Sequence, residues 1–224
     1  MRRRLIVLSL PLLSALMSPG LAQARDRFEV TITNITRGQQ FTPFLVASHN
    51  SRVNLFSLGQ AATTELATLA ESGATAPLAA LLTANKNVKA VNATSGLLNP
   101  GQSVTITVDA GVNFNQFSAA AMLIPTNDAF VALNNVNAPR EFNVPVTFMA
   151  PVYDAGSEKN DELCASIPGP HFDECGGAGG GADVAGDEEG FVHVHAGIHG
   201  IGDLKPEYRD WRNPAAKITI RRIH

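Results

Sequence analysis

The sequence has few of the features that mark catalytic or nucleic-acid-binding proteins. Positive charge is scarce, because 17 Lys and Arg stand against 20 Asp and Glu in 224 residues, so we expect no nucleic-acid partner. No Ser/His/Asp constellation is identifiable, and no Gly-rich phosphate loop follows a strand. We therefore predict a protein that is not an enzyme.

Long apolar runs are also missing after the N-terminus, so we expect no transmembrane segment in the mature chain. The N-terminus itself has three arginines, a short apolar core over residues 5–16 and the small-x-small sequence Ala22-Gln23-Ala24. This pattern predicts a secretory signal over residues 1–24, cleaved before Arg25. The remaining residues, 25–224, should form one exported domain, secreted or periplasmic, with a net charge of −6.

Cysteine is almost absent, since Cys164 and Cys175 are the only two in the chain. In an exported protein, a close and even pair of cysteines predicts a disulfide bond. A free or metal-bound pair is the alternative.

Alternation of apolar and polar residues is the commonest pattern in the chain. Residues 28–33 and 104–108 alternate as half-buried strands do, whereas residues 119–124 form a continuous apolar run typical of a strand buried on both faces. Residues 142–148 also alternate, although Pro145 indicates an edge strand or a bulge. Such strands within one domain predict an all-β, antiparallel β-sandwich.

Two segments interrupt the β pattern. Leu66 and Leu69 fall at helical spacing, with Gly73 placed as a C-terminal cap, and Pro77 opens a second short helical stretch. Residues 151–190 then contain ten acids, one lysine and nine glycines. We interpret these residues as a long acidic, Gly-rich loop, of a length that is usually functional or disordered.

The acidic stretch "YDAGSEKNDELC" is either a solvated loop or a cation site. It is not an EF-hand, because Lys159 occupies the position that requires glycine when Asp154 is counted as the first. The residues alone favour the solvated loop.

Three segments, in order, resemble the spondin domain: "FTPFLVASHNSRVNLFSLGQAATTELATLAESG", "IPTNDAFVAL" and "YDAGSE". The resemblance implies a C2-like β-sandwich with adhesion roles and a bound calcium ion. It also implies that Asp128, Asp154 and Glu158 are calcium ligands, although Glu158 replaces the family's aspartate and Ala129 replaces its tryptophan. We expect the nearby Asp161 and Glu162 to be solvated charges, with additional calcium ligands as the alternative.

The stretch "GFVHVHAGIHG" is a second candidate site. In a strand His193 and His195 point to one face, and the glycines beyond them could swing His199 back toward the pair. Three imidazoles so placed suit zinc or copper, whereas a polar surface or bonds to the acidic loop are the alternatives. The stretch and "GPHFDEC" also resemble pieces of copper–zinc superoxide dismutase, and this resemblance implies a redox role. The two pieces occur here in the opposite order.

From these observations we predict an exported, calcium-binding, spondin-like binding or adhesion module with an unidentified extracellular or envelope ligand. The alternative is a transition-metal-binding protein that uses the histidines. We expect pH to separate the two sites, because free carboxylates titrate near 4 and histidines near 6.5.

Overall fold

A computed structural model describes residues 26–169, 172–176, 180 and 187–224. The predicted signal and its cleavage site lie outside the described residues. Within them, the chain forms eleven strands and three short helices. The elements are β1 (Arg27–Asn34), β2 (Gln40–Phe41), β3 (Leu45–His49), α1 (Thr64–Ser72), α2 (Ala76–Thr83), β4 (Val88–Ala93), β5 (Ser103–Asp109), β6 (Gln116–Ile124), β7 (Ala129–Asn137), β8 (Pro145–Ala150), β9 (Val152–Asp154), β10 (His193–Val194), α3 (Pro206–Arg209) and β11 (Ala216–Arg222).

The strands form two antiparallel sheets, which confirms the predicted all-β sandwich. The four-stranded sheet has the order β5-β1-β11-β8, and the seven-stranded sheet has the order β10-β9-β7-β6-β3-β4, with β2 paired to β6. One apolar core lies between them. It joins alternate residues of β1 and β11, such as Ile32 and Ile220, to residues of β6 and β7, such as Phe117 and Val131.

The sequence pattern of each strand reflects what covers its faces. β1 alternates buried and partly exposed residues because only one face of its sheet is covered. β6 is buried almost throughout, because α1 and α2 cover the second face of the seven-stranded sheet. Leu66, Leu69 and Leu82 of these helices are buried there against Phe130 of β7.

The predicted end of α1 and the predicted place of Pro77 in α2 are confirmed. Thr63 accepts a hydrogen bond from the N–H of Leu66 at the start of α1, and Gly73 adopts the left-handed conformation at its end. Pro77 lies in the first turn of α2. None of the helices in the described ranges is long and apolar enough to cross a membrane.

The strand predicted over residues 142–148 is shifted along the chain. The structure forms β8 over Pro145–Ala150, and Phe142 is exposed and makes only an isolated bridge to Arg222. The edge position expected from Pro145 is confirmed, because β8 is the last strand of its sheet.

The predicted disulfide is also confirmed. Cys164 and Cys175 are bonded, with their Cα atoms 5.4 Å apart. Within the acidic loop, the bond fastens the short 3₁₀ turn Asp173–Cys175 to the last residue of the stretch "YDAGSEKNDELC".

Candidate metal centre

One end of the seven-stranded sheet brings the two predicted sites together. Asp154 is the last residue of β9, and its register partners are Ala129 of β7 on one side and His193 of β10 on the other. Asp128 immediately precedes β7. Asp154 therefore lies between the predicted calcium ligand Asp128 and the predicted histidine cluster.

Asp128 is fully buried and only half of its carboxylate is hydrogen-bonded. Its Oδ2 accepts hydrogen bonds from the backbone N–H of Ser157 at 2.8 Å, the hydroxyl of Ser157 at 3.2 Å and the N–H of Glu158 at 3.1 Å. Its Oδ1 is buried and has no hydrogen-bond partner. Such an oxygen is costly to bury, so this carboxylate is suited to a cation.

Asp154 is buried as completely, and its two oxygens face different neighbours. Oδ1 accepts a hydrogen bond from the N–H of Gly156 at 2.7 Å and lies 3.6 Å from Nε2 of His193. Oδ2 accepts a hydrogen bond from the side-chain amide of Asn160 at 2.5 Å and lies 3.9 Å from Nε2 of His195. In the described part of the chain, these two imidazole rings are the only basic groups within 4 Å of the Asp154 carboxylate.

Burial is the main cause that makes the two aspartates costly to ionise. Burial, and then the charge of Asp154, raise the pKa of Asp128 to about 7. Burial also raises the pKa of Asp154, while Asn160, Gly156 and His193 act in the opposite direction. The pKa near 4 of a free carboxylate, from which we expected pH to separate the two sites, therefore does not apply to Asp128.

Glu158 is also buried, with 2% of its surface exposed, and its N–H donates to Asp128. The carboxylates of Asp128 and Glu158 nevertheless fall outside the closest group of candidate ligands. Among the described residues, that group consists of Asp154, Glu189 and His193, whose ligand atoms all lie within 4.8 Å of one another. Glu189 was not predicted from the sequence.

Gly156 brings Glu189 and His193 to Asp154. It has a φ of +64°, and an added Cβ would lie 2.6 Å from the backbone nitrogen of Phe191. Its carbonyl oxygen also accepts a hydrogen bond from the N–H of Gly190. Glycine is therefore required here, because the segment that carries both ligands passes directly against it.

The three predicted histidines occupy different environments around one cavity of about 240 Å³. His195 is buried, its ring centroid 5.0 Å from that of Trp211, and its pKa is lowered to about 4 by burial and then by the charges of His193 and His199. His193 is partly exposed, and His199 is exposed at the cavity rim.

The prediction that Asp161 and Glu162 are solvated charges was wrong. Glu162 is buried, and its carboxylate accepts hydrogen bonds from the N–H groups of His199, Gly200 and Ile201 at 2.6 to 3.0 Å. The carboxylate of Asp161 accepts hydrogen bonds from Asn127, Leu163 and Ser166. Both acids hold loops in place. Nothing local in the sequence indicates this role, because the partners of Glu162 lie 37 to 39 positions away.

The family model described as Spondin_N, the spondin N-terminal domain, matches residues 31–163, more than half of the chain. The chain belongs to the spondin family. No curated protein matches it. The spondin match includes Asp128, Asp154 and Glu158 and ends one residue before Cys164. Glu189 and the candidate histidines of this spondin protein, His193, His195 and His199, therefore come from the segment beyond the matched region.

The spondin family is a family of extracellular domains, and the disulfide bond fits an exported protein.

Proposed function

We propose that this spondin domain is an exported binding or adhesion module that holds a calcium ion on Asp128, Asp154 and Glu158. One observation carries the proposal. Asp128 is fully buried beside a second buried carboxylate, that of Asp154, and its Oδ1 has no hydrogen-bond partner.

A divalent cation would relieve this arrangement in two ways. It would provide a partner for Oδ1 of Asp128, and its positive charge would favour the ionised form of the two buried aspartates, whose pKa values are raised mainly by burial. Calcium favours such a site because it takes six to eight oxygen ligands, largely from carboxylates and backbone carbonyls of loops. The loop from Asp154 to Glu158 provides both carboxylate and backbone carbonyl oxygens.

The role of the ion in this proposal is structural. The ion would hold residues 154–158, which follow β9 within the acidic loop, and so stabilise the surface around them. A ligand outside the cytoplasm would bind to the folded, calcium-loaded domain, in the periplasm or in the extracellular space.

Elemental analysis tests the proposal directly. Protein exported into calcium-containing medium and purified without chelators should contain about one calcium per chain, and Asp128→Asn should reduce that content. Asp187→Asn is the matched control, because Asp187 is an exposed acid of the same segment that pairs with Lys159. Calcium-free protein that also shows no stabilisation by added calcium would contradict the proposal.

The transition-metal alternative has its own support. The grouping of Asp154, Glu189 and His193 within 4.8 Å contains an imidazole, a ligand typical of zinc and copper sites, whereas calcium sites are built from oxygen ligands.

A further inference from the structure

The hydrogen bonds of the two neighbouring histidines assign them opposite tautomers. Nδ1 of His195 accepts a hydrogen bond from the N–H of Gly197 at 3.0 Å, so this nitrogen carries no proton. A neutral ring keeps one proton, which must then be on Nε2 of His195. A nitrogen that carries a proton has no lone pair to give to a metal, so Nε2 of His195 is not a ligand in this arrangement.

His193 has the reverse arrangement. Its Nδ1 lies 3.2 Å from the carbonyl oxygen of Val194. Because a carbonyl only accepts hydrogen bonds, Nδ1 carries the proton, and the lone pair of the neutral ring is on Nε2. This Nε2 atom is buried and has no hydrogen-bond partner. A backbone carbonyl that fixes the tautomer in this way is a common partner of metal-binding histidines.

We propose that Nε2 of His193, with the carboxylates of Asp154 and Glu189, forms a site for a divalent transition metal. Zinc is the probe ion for this site. The 3.6 Å between Nε2 of His193 and Oδ1 of Asp154 is close to the separation of about 3.4 Å between two ligands of a tetrahedral zinc ion. Glu189 is exposed, and its Oε1 accepts a hydrogen bond at 3.3 Å from the side-chain amide of Asn160, which also donates to Asp154. The carboxylate of Glu189 is thereby held beside that of Asp154.

This assignment differs from a site made of three histidines. His195 helps to position the carboxylate of Asp154 and does not bind the metal itself. Its ring packs on Trp211, and its Nε2 lies 3.9 Å from Oδ2 of Asp154. His199 lines the same cavity at its rim but is not in the 4.8 Å group. With three protein ligands, the metal would keep at least one position for water or for an external ligand.

The proposal deepens the transition-metal candidate and does not require calcium. Asp154 is common to both proposed sites, whereas Glu189 and His193 belong to the zinc site alone. Substitution of His193 therefore separates the two proposals. The calcium response should survive in the variant, and the zinc response should disappear.

The test is a zinc titration of the exported chain, purified without a histidine tag, at pH 7.5 in calcium-free buffer. The parent should bind one zinc ion. His193→Ala should weaken binding by about 100-fold or more, since even the loss of outer-shell partners costs 10- to 100-fold. Glu189→Gln, at an exposed position that does not threaten folding, should weaken binding by about 10-fold. His199→Ala is the matched control and should stay within about threefold of the parent.

Cobalt gives a second readout of the same site. The visible spectrum of the cobalt-loaded parent should show the bands of a four- or five-coordinate ion, and His193→Ala should lose them. Absence of saturable zinc binding by the parent, or equal affinity in His193→Ala, would overturn the proposal. Equal losses in His193→Ala and His199→Ala would replace it with a site made of histidines.

Discussion

Asp154 and His193 are register partners on adjacent strands, and Nε2 of His193 lies 3.6 Å from Oδ1 of Asp154. The acidic loop and the histidine segment, which the sequence presents as two separate candidate sites, therefore meet at one carboxylate. Any cation bound on either side of Asp154 will influence the other side. Substitution of Asp128 affects the acidic side alone, and substitution of His193 affects the histidine side alone.

Calcium should stabilise the folded protein, because it binds the native site and not the unfolded chain. At a free concentration a hundred times its Kd, the gain is about 2.7 kcal/mol. Asp128→Asn should remove most of this gain in thermal unfolding, and Asp187→Asn should retain it. If Asp128→Asn responds to calcium as the parent does, Asp128 is not a ligand.

The stabilisation by calcium should grow between pH 5.5 and pH 7.5. The pKa of Asp128 is about 7 in the folded protein and 3.8 as a free side chain. Its folded pKa is raised, so without metal its contribution to stability decreases as pH rises from about 4 to 7, and then levels off. Calcium must displace that proton at low pH and meets a charged carboxylate at high pH. Equal calcium-induced shifts in Tm at the two pH values would show that Asp128 does not take part.

His49 lies far from the metal centre and should make the folded protein less stable in mild acid. Burial lowers the pKa of His49 below 6.5, and its ring bonds to Ser118 and to the carbonyl of Asn50, each at 2.8 Å. The unfolded chain then takes up a proton below pH 6.5 before the folded protein does, so stability should fall as pH decreases through that value.

The measurement for His49 is urea unfolding at pH 7.5 and pH 5.0, for the parent and for His49→Gln. The variant should lose about 1 to 3 kcal/mol at pH 7.5, because a buried hydrogen bond is disturbed. It should also lose less stability than the parent between the two pH values. His195 acts in the same direction in both proteins, so only the difference between them reports on His49. Identical pH dependence would show that His49 is not buried in its neutral form.

Glu162→Gln should destabilise the cavity wall. A carboxylate accepts hydrogen bonds on both oxygens, whereas a glutamine amide has one oxygen and would place its NH₂ group against backbone N–H groups. We expect a loss of about 2 to 3 kcal/mol in unfolding free energy. The substitution Glu207→Gln, at an exposed glutamate of α3, should have almost no effect. A neutral result at Glu162 would mean that water replaces the lost acceptor.

Removal of the disulfide should cost about 3 kcal/mol, because Cys164 and Cys175 are only 11 positions apart and close a short loop. Urea unfolding of the double substitution Cys164→Ser with Cys175→Ser measures this cost. The parent under reducing conditions is the comparison and should match the double variant. No loss in either case would indicate that the loop is held by its hydrogen bonds alone.

The sandwich was predictable because its signals are local. The alternation of β1 and the continuous apolar run of β6 each report how many faces of a strand are covered. This pattern can be recognised from residues only two positions apart. The start of β8 was less predictable, since the alternation over residues 142–148 begins in an exposed stretch that the sheet does not use. Phe142 fits the pattern and is nevertheless outside the strand.

The candidate site was predictable only in part. Asp128 and Asp154 were singled out through a family resemblance, and the side chains of both are buried. Glu189 was missed because it reaches Asp154 only through the close passage of its segment over Gly156. The roles of His193 and His195 were not separable by spacing, because the hydrogen bonds that fix their tautomers come from the backbone of Val194 and Gly197.

Gly156 has no side chain that could bind a metal, yet it sets the distance between Asp154 and the segment that carries Glu189 and His193. A single methyl group at this position would push against the backbone of Phe191 and carry Glu189 and His193 away with it, while Asp154 stayed in place. A saturation screen scored by zinc retention should therefore rank Gly156 among the intolerant positions. An investigator who reads such a screen as a map of ligands would count one residue too many.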